Sequence, residues 1–485
     1  MKVCFVYPDI EGTERYGAKK FYQGIGYLSS VLKKAGHVTS LIYLQSEIPR
    51  TAFLDEIHNA SPGLVAFSAT TNQYPFVSRF AAFIKQETPS VPVICGGAHA
   101  TLAPERVIED EAVDMLCVGE GEFALLELVD RLERGDDVTN IRNLWFKRDG
   151  QVIRNPSRPL IQDFDELPFP DRGLFGFHDI LKANGGWVDV MAGRGCPYEC
   201  SYCCNPSLKR TFHGLGKYVR FRGVENLLAE IRQLTADYQV RVLNFQDDVF
   251  TLNRSWTREF CDAYARSFSI PFWVNTRVER VLDEDVVESL AKAGCQGVRI
   301  GIESGSETLR REILKRSMSN ATILQAFRLL RKHGLQTYTC NMIGIPGETP
   351  RMMQETVDFN RQLSPDAFQF SVFYPYPMTQ LHDICVENGY YQDGEYLSSY
   401  YSSSSLLKMP ELSQDDISRG YDRFVDLQWE LDLKKRSPLK HRLYTLLRLL
   451  YGNDTPRLRA HLRSLANARR LVTRKGQHAA VRRTT

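Results

Sequence analysis

The sequence predicts an α/β chain in two parts. A doubly wound, Rossmann- or flavodoxin-like parallel sheet comes first, then a partial (β/α)6 barrel of the TIM type, with a helical C-terminal region behind it. Three observations predict this. Through the first 138 residues, five short apolar runs rich in β-branched and aromatic residues alternate with helical apolar spacing, the pattern of strands buried on both faces. From residue 186 the alternation starts again and runs through six strand–helix units. Between them lies a stretch with prolines and a turn signal that fits neither rhythm. A chain of 485 residues is also too long for one apolar core.

Each element has its own justification. The first strands are KVCFVYP, VTSLIYL, GLVAFSAT, VPVICGG and DMLCVGEG, separated by helical patterns such as GIGYLSSVLKKAG and VSRFAAFIKQE; they assign residues 1–138 to the first domain. In doubly wound sheets ligands bind outside the carboxyl ends of the strands. Those ends carry the small or polar loops SATTNQY, GGAHATLAP and GEGE. WFKRDGQVIRNP reads as a hairpin turning at Asp149-Gly150, and LIQDFDELPFPDRGLF as an extended connector, so 139–185 form a linker. The barrel strands are VDVMAG, VRVLNFQDD, PFWVNTR, GVRIGIES, TYTCNMIGIPGE and AFQFSVFYPYP, within 186–390. Residues 391–485 contain the Ser-rich LSSYYSSSSLL and then mostly helical spacing.

Composition narrows the class. With 43% hydrophobic and 25% charged residues the chain can bury large cores, which excludes disordered and fibrous classes. No apolar run spans a bilayer, and MKVCFVYPDIEG reads as a first strand and not a signal peptide; the cytoplasm is expected. The 11 cysteines are odd in number and seven are scattered through apolar runs, so a disulfide framework is a poor reading. From Lys434 onward there are 15 Lys and Arg against the single acidic residue Asp454. This basic tail is read first as a solvated helical segment on an acidic surface of its own protein, and second as a peripheral contact with a membrane on its cytoplasmic face.

The chemistry concentrates in GRGCPYECSYCCNP, directly after the first barrel strand, where catalytic loops of barrels sit. Gly193, Gly195 and Pro197 make it a poor strand or helix interior. Zinc normally takes four ligands in two separated pairs, and no second Cys or His pair accompanies Cys196, Cys200 and Cys203. Three thiolates in one loop suit an iron–sulfur cube with one iron left open.

C-x3-C-x2-C with Tyr202 before the last cysteine, after a first barrel strand, resembles the radical S-adenosylmethionine superfamily. The resemblance implies that Cys196, Cys200 and Cys203 hold a 4Fe-4S cluster whose open iron chelates S-adenosylmethionine, and that reductive cleavage yields a 5′-deoxyadenosyl radical. It implies S-adenosylmethionine contacts for Tyr202, for Asp247 and Asp248 in NFQDDVF, for Arg277 in WVNTR, for Glu303 and Ser304 in GIESGS, and for the backbone from Ile345 to Gly347 in MIGIPGET. Local capping or ion-pair roles are the alternatives for Asp247, Asp248 and Arg277. In YPYPMTQL, Met378 stands where the family pattern expects Gly.

The first domain, through GIGYLSSVLKKAGH, GGAHATLAPE and DMLCVGEGE, resembles the cobalamin-binding domain of cobalamin-dependent radical enzymes. This implies cobalamin contacts for Ser68, Thr70, Gly96, Gly97, His99, Thr101, Gly119 and Glu120. The D-x-H-x-x-G motif is absent, so His99 is expected at the nucleotide tail and not on cobalt. Together the resemblances imply methylation of an unactivated carbon by hydrogen abstraction and methyl transfer from methylcobalamin. Oxidative cyclisation or rearrangement with the same cofactors is the first alternative, and a zinc or iron–sulfur nucleic-acid module is the alternative from another class. The expected partners are a small-molecule or lipid-like substrate and a flavodoxin- or ferredoxin-type electron donor, with no nucleic acid.

Overall fold

The computed structural model describes residues 1–10, 19–396 and 403–451. The first sheet has seven strands in the order β2-β1-β3-β4-β5-β6-β7. Strands β1 (Lys2–Pro8), β2 (Val38–Leu44), β3 (Leu64–Ser68), β4 (Val93–Gly96) and β5 (Met115–Cys117) are parallel. Their alternation feeds two cores. Val3 and Phe5 pack with Ile25 and Leu32 on one face, whereas Cys4 and Val6 pack with Phe53, Ile57 and Phe80 on the other. Strands β6 (Leu144–Arg148) and β7 (Gln151–Arg154) form the hairpin, with Asp149 at φ 53° and Gly150 at φ 74°. The hairpin does not stand alone in the connector. Met115 of β5 pairs with Phe146 of β6, so the hairpin extends the first sheet and covers what would be an open strand edge.

The second sheet is six parallel strands in the order β15-β14-β13-β12-β11-β8, curled into a half-barrel. They are β8 (Trp187–Val190), β11 (Val242–Phe245), β12 (Phe272–Thr276), β13 (Cys295–Glu303), β14 (Gln336–Ile343) and β15 (Ala367–Val372). Period-two alternation again decides the faces. Val298, Ile300 and Ile302 of β13 join Val286, Val287, Ile323 and Phe327 of the flanking helices in a buried core, so Arg299, Gly301 and Glu303 face the concave side. Two short strands, β9 (Gly193–Arg194) and β10 (Arg220–Phe221), pair antiparallel after β8.

The same core that backs the barrel runs into the first domain through Phe21, Phe175 and Phe177, whose rings meet edge to face at 5.0 and 5.5 Å. The connector is therefore apolar mortar between the two sheets. Helix Gln414–Arg436 packs Phe424 flat on Phe370 of β15 at 4.8 Å. Among the described residues no helix is long and apolar enough to cross a membrane. Of the basic tail, helix Pro438–Tyr451 is described and residues 452–485 lie outside the described residues, as do 397–402 of the Ser-rich stretch.

Candidate functional site

The cysteine loop is pinned where it leaves the barrel. Pairing of Arg194 with Arg220 holds its two ends together. Gly195, at φ 90°, sits so close that a Cβ there would lie 2.5 Å from the Tyr218 carbonyl oxygen; only glycine permits this approach. Cys196 and Cys200 are buried and Cys203 is half-buried. Asn205, two residues beyond Cys203, organises them. Its Oδ1 accepts from Cys196 N (3.2 Å) and Tyr218 OH (2.7 Å), and its Nδ2 donates to Cys203 Sγ (3.5 Å) and Asp248 Oδ2 (3.2 Å).

The sulfurs meet different fields. Arg277 Nη1 donates to Cys200 Sγ at 3.3 Å and Arg316 Nη1 approaches it at 3.7 Å. Burial pushes the Cys196 thiol up to about 11. The neighbouring Cys204 thiol and the Asn205 N–H groups, donating to Cys203, draw its thiol down to about 7. No group of three or more His, Cys, Asp or Glu among the described residues closes on a single metal-ion position. Three sulfurs on one loop, one between two arginines and one under an amide, fit the ligand set of an iron–sulfur cluster.

At the barrel mouth Tyr202 OH donates to Glu303 Oε1 (3.0 Å) and accepts from Arg316 Nη1 (3.1 Å). Glu303 holds φ 68°, a left-handed backbone uncommon for a non-glycine residue. Its carboxylate folds back over Gly301, where a Cβ would meet Oε1 at 2.1 Å, and burial raises its pKa.

The other S-adenosylmethionine candidates are placed unevenly. Asp247 is buried, and both its oxygens accept from Ala192 N at 3.1 Å; burial lifts its carboxyl to about 7. It ties β11 to the end of β8. Asp248 is exposed beside Asn205. Arg277 stacks on Tyr198 at 3.7 Å and gives Nη2 and Nε to Glu279. Ser304 is closed to solvent and bonded to Thr356 Oγ1 (3.1 Å). Gly347 is exposed, while Ile345 is buried with its N–H on Glu348.

Between the two sheets lies a cleft of about 1400 Å³ including its open mouth. One wall comes from the strand ends of the first sheet, with Ser68, Gly96, Gly97, Thr101, Gly119 and Glu120; the other carries Met191, Gly195, Cys204 and Phe212. The lining is mainly apolar, glycine opens the first wall, and none of the lining residues is a histidine. A large, flat group approaching bare backbone suits such a cradle. Thr70 and His99 do not line it. Thr70 caps the turn at Thr71–Gln73, and His99 is buried with its ring on Tyr74 at 4.4 Å and Nδ1 facing Thr71 Oγ1; burial lowers its pKa to about 4.

Sequence reading missed Arg316, Asn205, Arg194 and Arg220. Asn205 and Arg194 lie within the cysteine stretch and could have been included; Arg220, on the short strand β10, and Arg316, on a loop, have no pattern to mark them.

Two family models match in succession: the B12 binding domain over residues 21–129 and the Radical SAM superfamily over residues 190–359. An uncharacterized methyltransferase of Pyrococcus horikoshii is 29% identical over 423 residues, 86% of this chain and 90% of its own length. The anaerobic magnesium-protoporphyrin IX monomethyl ester cyclase of Rubrivivax gelatinosus is 25% identical over 395 residues, 79% of this chain and 69% of that protein. The radical S-adenosylmethionine methyltransferase TsrM of Kitasatospora setae, solved with cobalamin and a 4Fe-4S cluster bound, has a TM-score of 0.67 at 19% identity, covering 87% of this chain and 81% of its own. That last likeness is one of fold.

Proposed function

This chain is a cobalamin-dependent radical S-adenosylmethionine enzyme, and from that premise we propose that it methylates an unactivated carbon of a small-molecule substrate. The observation that carries the reading is the shared chamber. Gly195 and Cys204 of the cysteine loop line the same cleft as Gly96, Gly97 and Gly119 of the first sheet. Group transfer needs its partners held in near contact, and a cleft lined by both sheets brings their walls together. The relative from Pyrococcus horikoshii, a methyltransferase by name, supports the same direction.

Bound together, the cluster, S-adenosylmethionine and cobalamin supply a one-electron reductant, a hydrogen-abstracting radical and a transferable methyl group. The chain's own residues hold and shield them. Cys196, Cys200 and Cys203 would hold the cluster, with Arg277 and Arg316 donating to the Cys200 sulfur. Glu303, oriented by Tyr202 and Arg316, and the exposed Asp248 offer carboxylates to the amino or hydroxyl groups of S-adenosylmethionine. Ser68, Thr101 and Glu120 bring polar groups to the cleft wall that would receive the corrin. The mainly apolar lining would reduce water around the reacting groups once the cleft is filled. A low-potential electron donor of the flavodoxin or ferredoxin type is part of this reading.

The cyclase relative favours a second reading, oxidative cyclisation with the same cofactors. Anaerobic turnover with methyl-labelled S-adenosylmethionine separates the two. Methylation puts the label in the product, and a product that forms without label overturns it.

A further inference from the structure

The concave face of the half-barrel contains an arginine without the carboxylate partner that most arginines around the site have. Arg277, Arg316, Arg194, Arg220, Arg222 and Arg172 each face a glutamate within 4.0 Å. Arg310, which makes no ion pair among the described residues, spends its donors on Met318 O, Ser304 O and Asn320 Oδ1. Arg299 does neither. Among the described residues it makes no ion pair, and its one hydrogen bond is from Nη1 to Asn244 Oδ1.

Its setting is built and not incidental. In the register of the sheet Arg299 lies between Asn275 of β12 and Tyr338 of β14. Its guanidinium is 5.2 Å from the Trp273 ring and 5.8 Å from the Tyr338 ring. Trp187, at 6.1 Å from Trp273, completes an aromatic floor. Asp189, the acid on the same face, uses Oδ1 to accept from Asn244 Nδ2 (2.6 Å) and Gln246 Nε2 (2.9 Å). Asn244 therefore stands between acid and cation, with its amide oxygen turned to Arg299. Barrel interiors are ordinarily filled with packed apolar layers; here Arg299, Asn275 and Tyr338 remain half-exposed to the lumen. A half-exposed guanidinium with most of its five N–H donors unspent can exchange water for a planar anion held by paired N–H donors.

We infer that Arg299 is the docking point for an anionic group, carboxylate or phosphate, of the substrate. This rests on the methyl-transfer reading, and Arg299 itself lies on the concave face of the half-barrel and not in the lining of the cleft between the sheets. Arg299 lies four residues below Glu303 on β13, at most about 13 Å along a strand that is irregular between Gly301 and Glu303. A substrate anchored there presents its reacting carbon at the barrel mouth, a molecule's length from its charge.

The test uses full-length protein carrying cluster and cobalamin under anaerobic conditions. The probes are 3-phenylpropionate, phenyl phosphate and the neutral 3-phenylpropionamide, with binding read by tryptophan fluorescence and ligand-observed NMR. The wild type binds at least one of the anions tenfold or more better than the amide, and the stronger anion identifies the group. Arg299→Gln abolishes that preference while the cluster and corrinoid absorbance stays unchanged. Asn244→Asp, which places a carboxylate on the guanidinium at the cost of the amide donation to Asp189, abolishes it as well. Equal binding of amide and anions in the wild type, absence of binding by all three, or a preference that survives both substitutions overturns the proposal. Since binding is read without turnover, failure of methyl labelling would sink methylation and leave this result standing.

Discussion

Arg194 Nη1 donates to Glu120 Oε1 across 2.9 Å, and its Nη2 donates to Glu122 Oε1 at 2.6 Å. The residue two positions before Cys196 is thereby tied to the loop that follows β5 of the other sheet. Arg220, on the strand that closes the cysteine loop, reaches the same Glu120 at 3.0 Å. These ion pairs hold the two walls of the cleft in one register, and Arg194 and Arg220 keep the Glu120 carboxyl below its ordinary range despite its burial.

Glu120→Ala leaves Arg220 buried without a carboxylate, while Arg194 keeps Glu122. Removing one partner of a buried pair is costly, but Arg194 is partly solvated, so the expected loss is about 2 kcal/mol. Urea unfolding of the anaerobic protein measures this. Cobalamin retention on gel filtration should fall in the variant, whereas iron per chain should not. A variant as stable as the wild type and fully loaded with corrinoid would show that the pairs are incidental.

The four cysteines of the loop are not equivalent. Ala at residue 196, 200 or 203 is expected to lower iron and sulfide content severely and to abolish release of 5′-deoxyadenosine under dithionite. Cys204→Ala is expected to keep the cluster, because Cys204 faces the interdomain cleft. A Cys200→Ala protein that still assembles a complete cluster and cleaves S-adenosylmethionine would refute the ligand assignment.

The strands were legible because apolar alternation and short turn-bounded runs are local signals, and each of β1 to β8 and β11 to β15 sits on one of them. The hairpin was legible as a hairpin but not as part of the first sheet, since pairing of Phe146 with Met115 is a choice made in three dimensions. Site chemistry divides the same way. Contiguous motifs announce their residues, whereas Arg316 arrives from a loop after a single π-type turn, Leu309–Ile313, with nothing in its neighbours to signal a buried cation. Met378 is instructive in the other direction. It takes φ 61° where glycine was expected, and its carbonyl oxygen accepts from Ser207 Oγ, so the loop has the glycine-like conformation with a residue that resists it.

Arg316 contributes charge as well as shape. Its guanidinium is buried near Cys200, Tyr202 and Glu303. A cation close to a ligating sulfur stabilises the more negative, reduced state, so Arg316→Gln should lower the cluster's reduction potential. The expected shift is tens of millivolts, with about 59 mV corresponding to each tenfold in a one-electron equilibrium. A redox titration followed by electron paramagnetic resonance reads it. An unchanged or raised potential would show that Arg316 acts only in packing.

Glu348 supplies a pH-dependent term in stability. It is fully buried, its Oε2 accepts from Gly344 N and Ile345 N, and its Oε1 has no hydrogen-bond partner among the described residues. Burial lifts its carboxyl from 4.5 to about 8. Between those values the folded chain keeps the proton and the unfolded chain does not. Raising the pH across that window therefore weakens folding, by about 1.4 kcal/mol per pH unit for a fully effective group. Glu348→Gln keeps a neutral acceptor for the two backbone N–H groups and removes the titration. The stability of wild type relative to this variant should fall as pH rises from 5 to about 8 and level off above that. Urea unfolding at four pH values measures the difference, and parallel curves for the two proteins would show that the carboxyl is already ionised in the folded state.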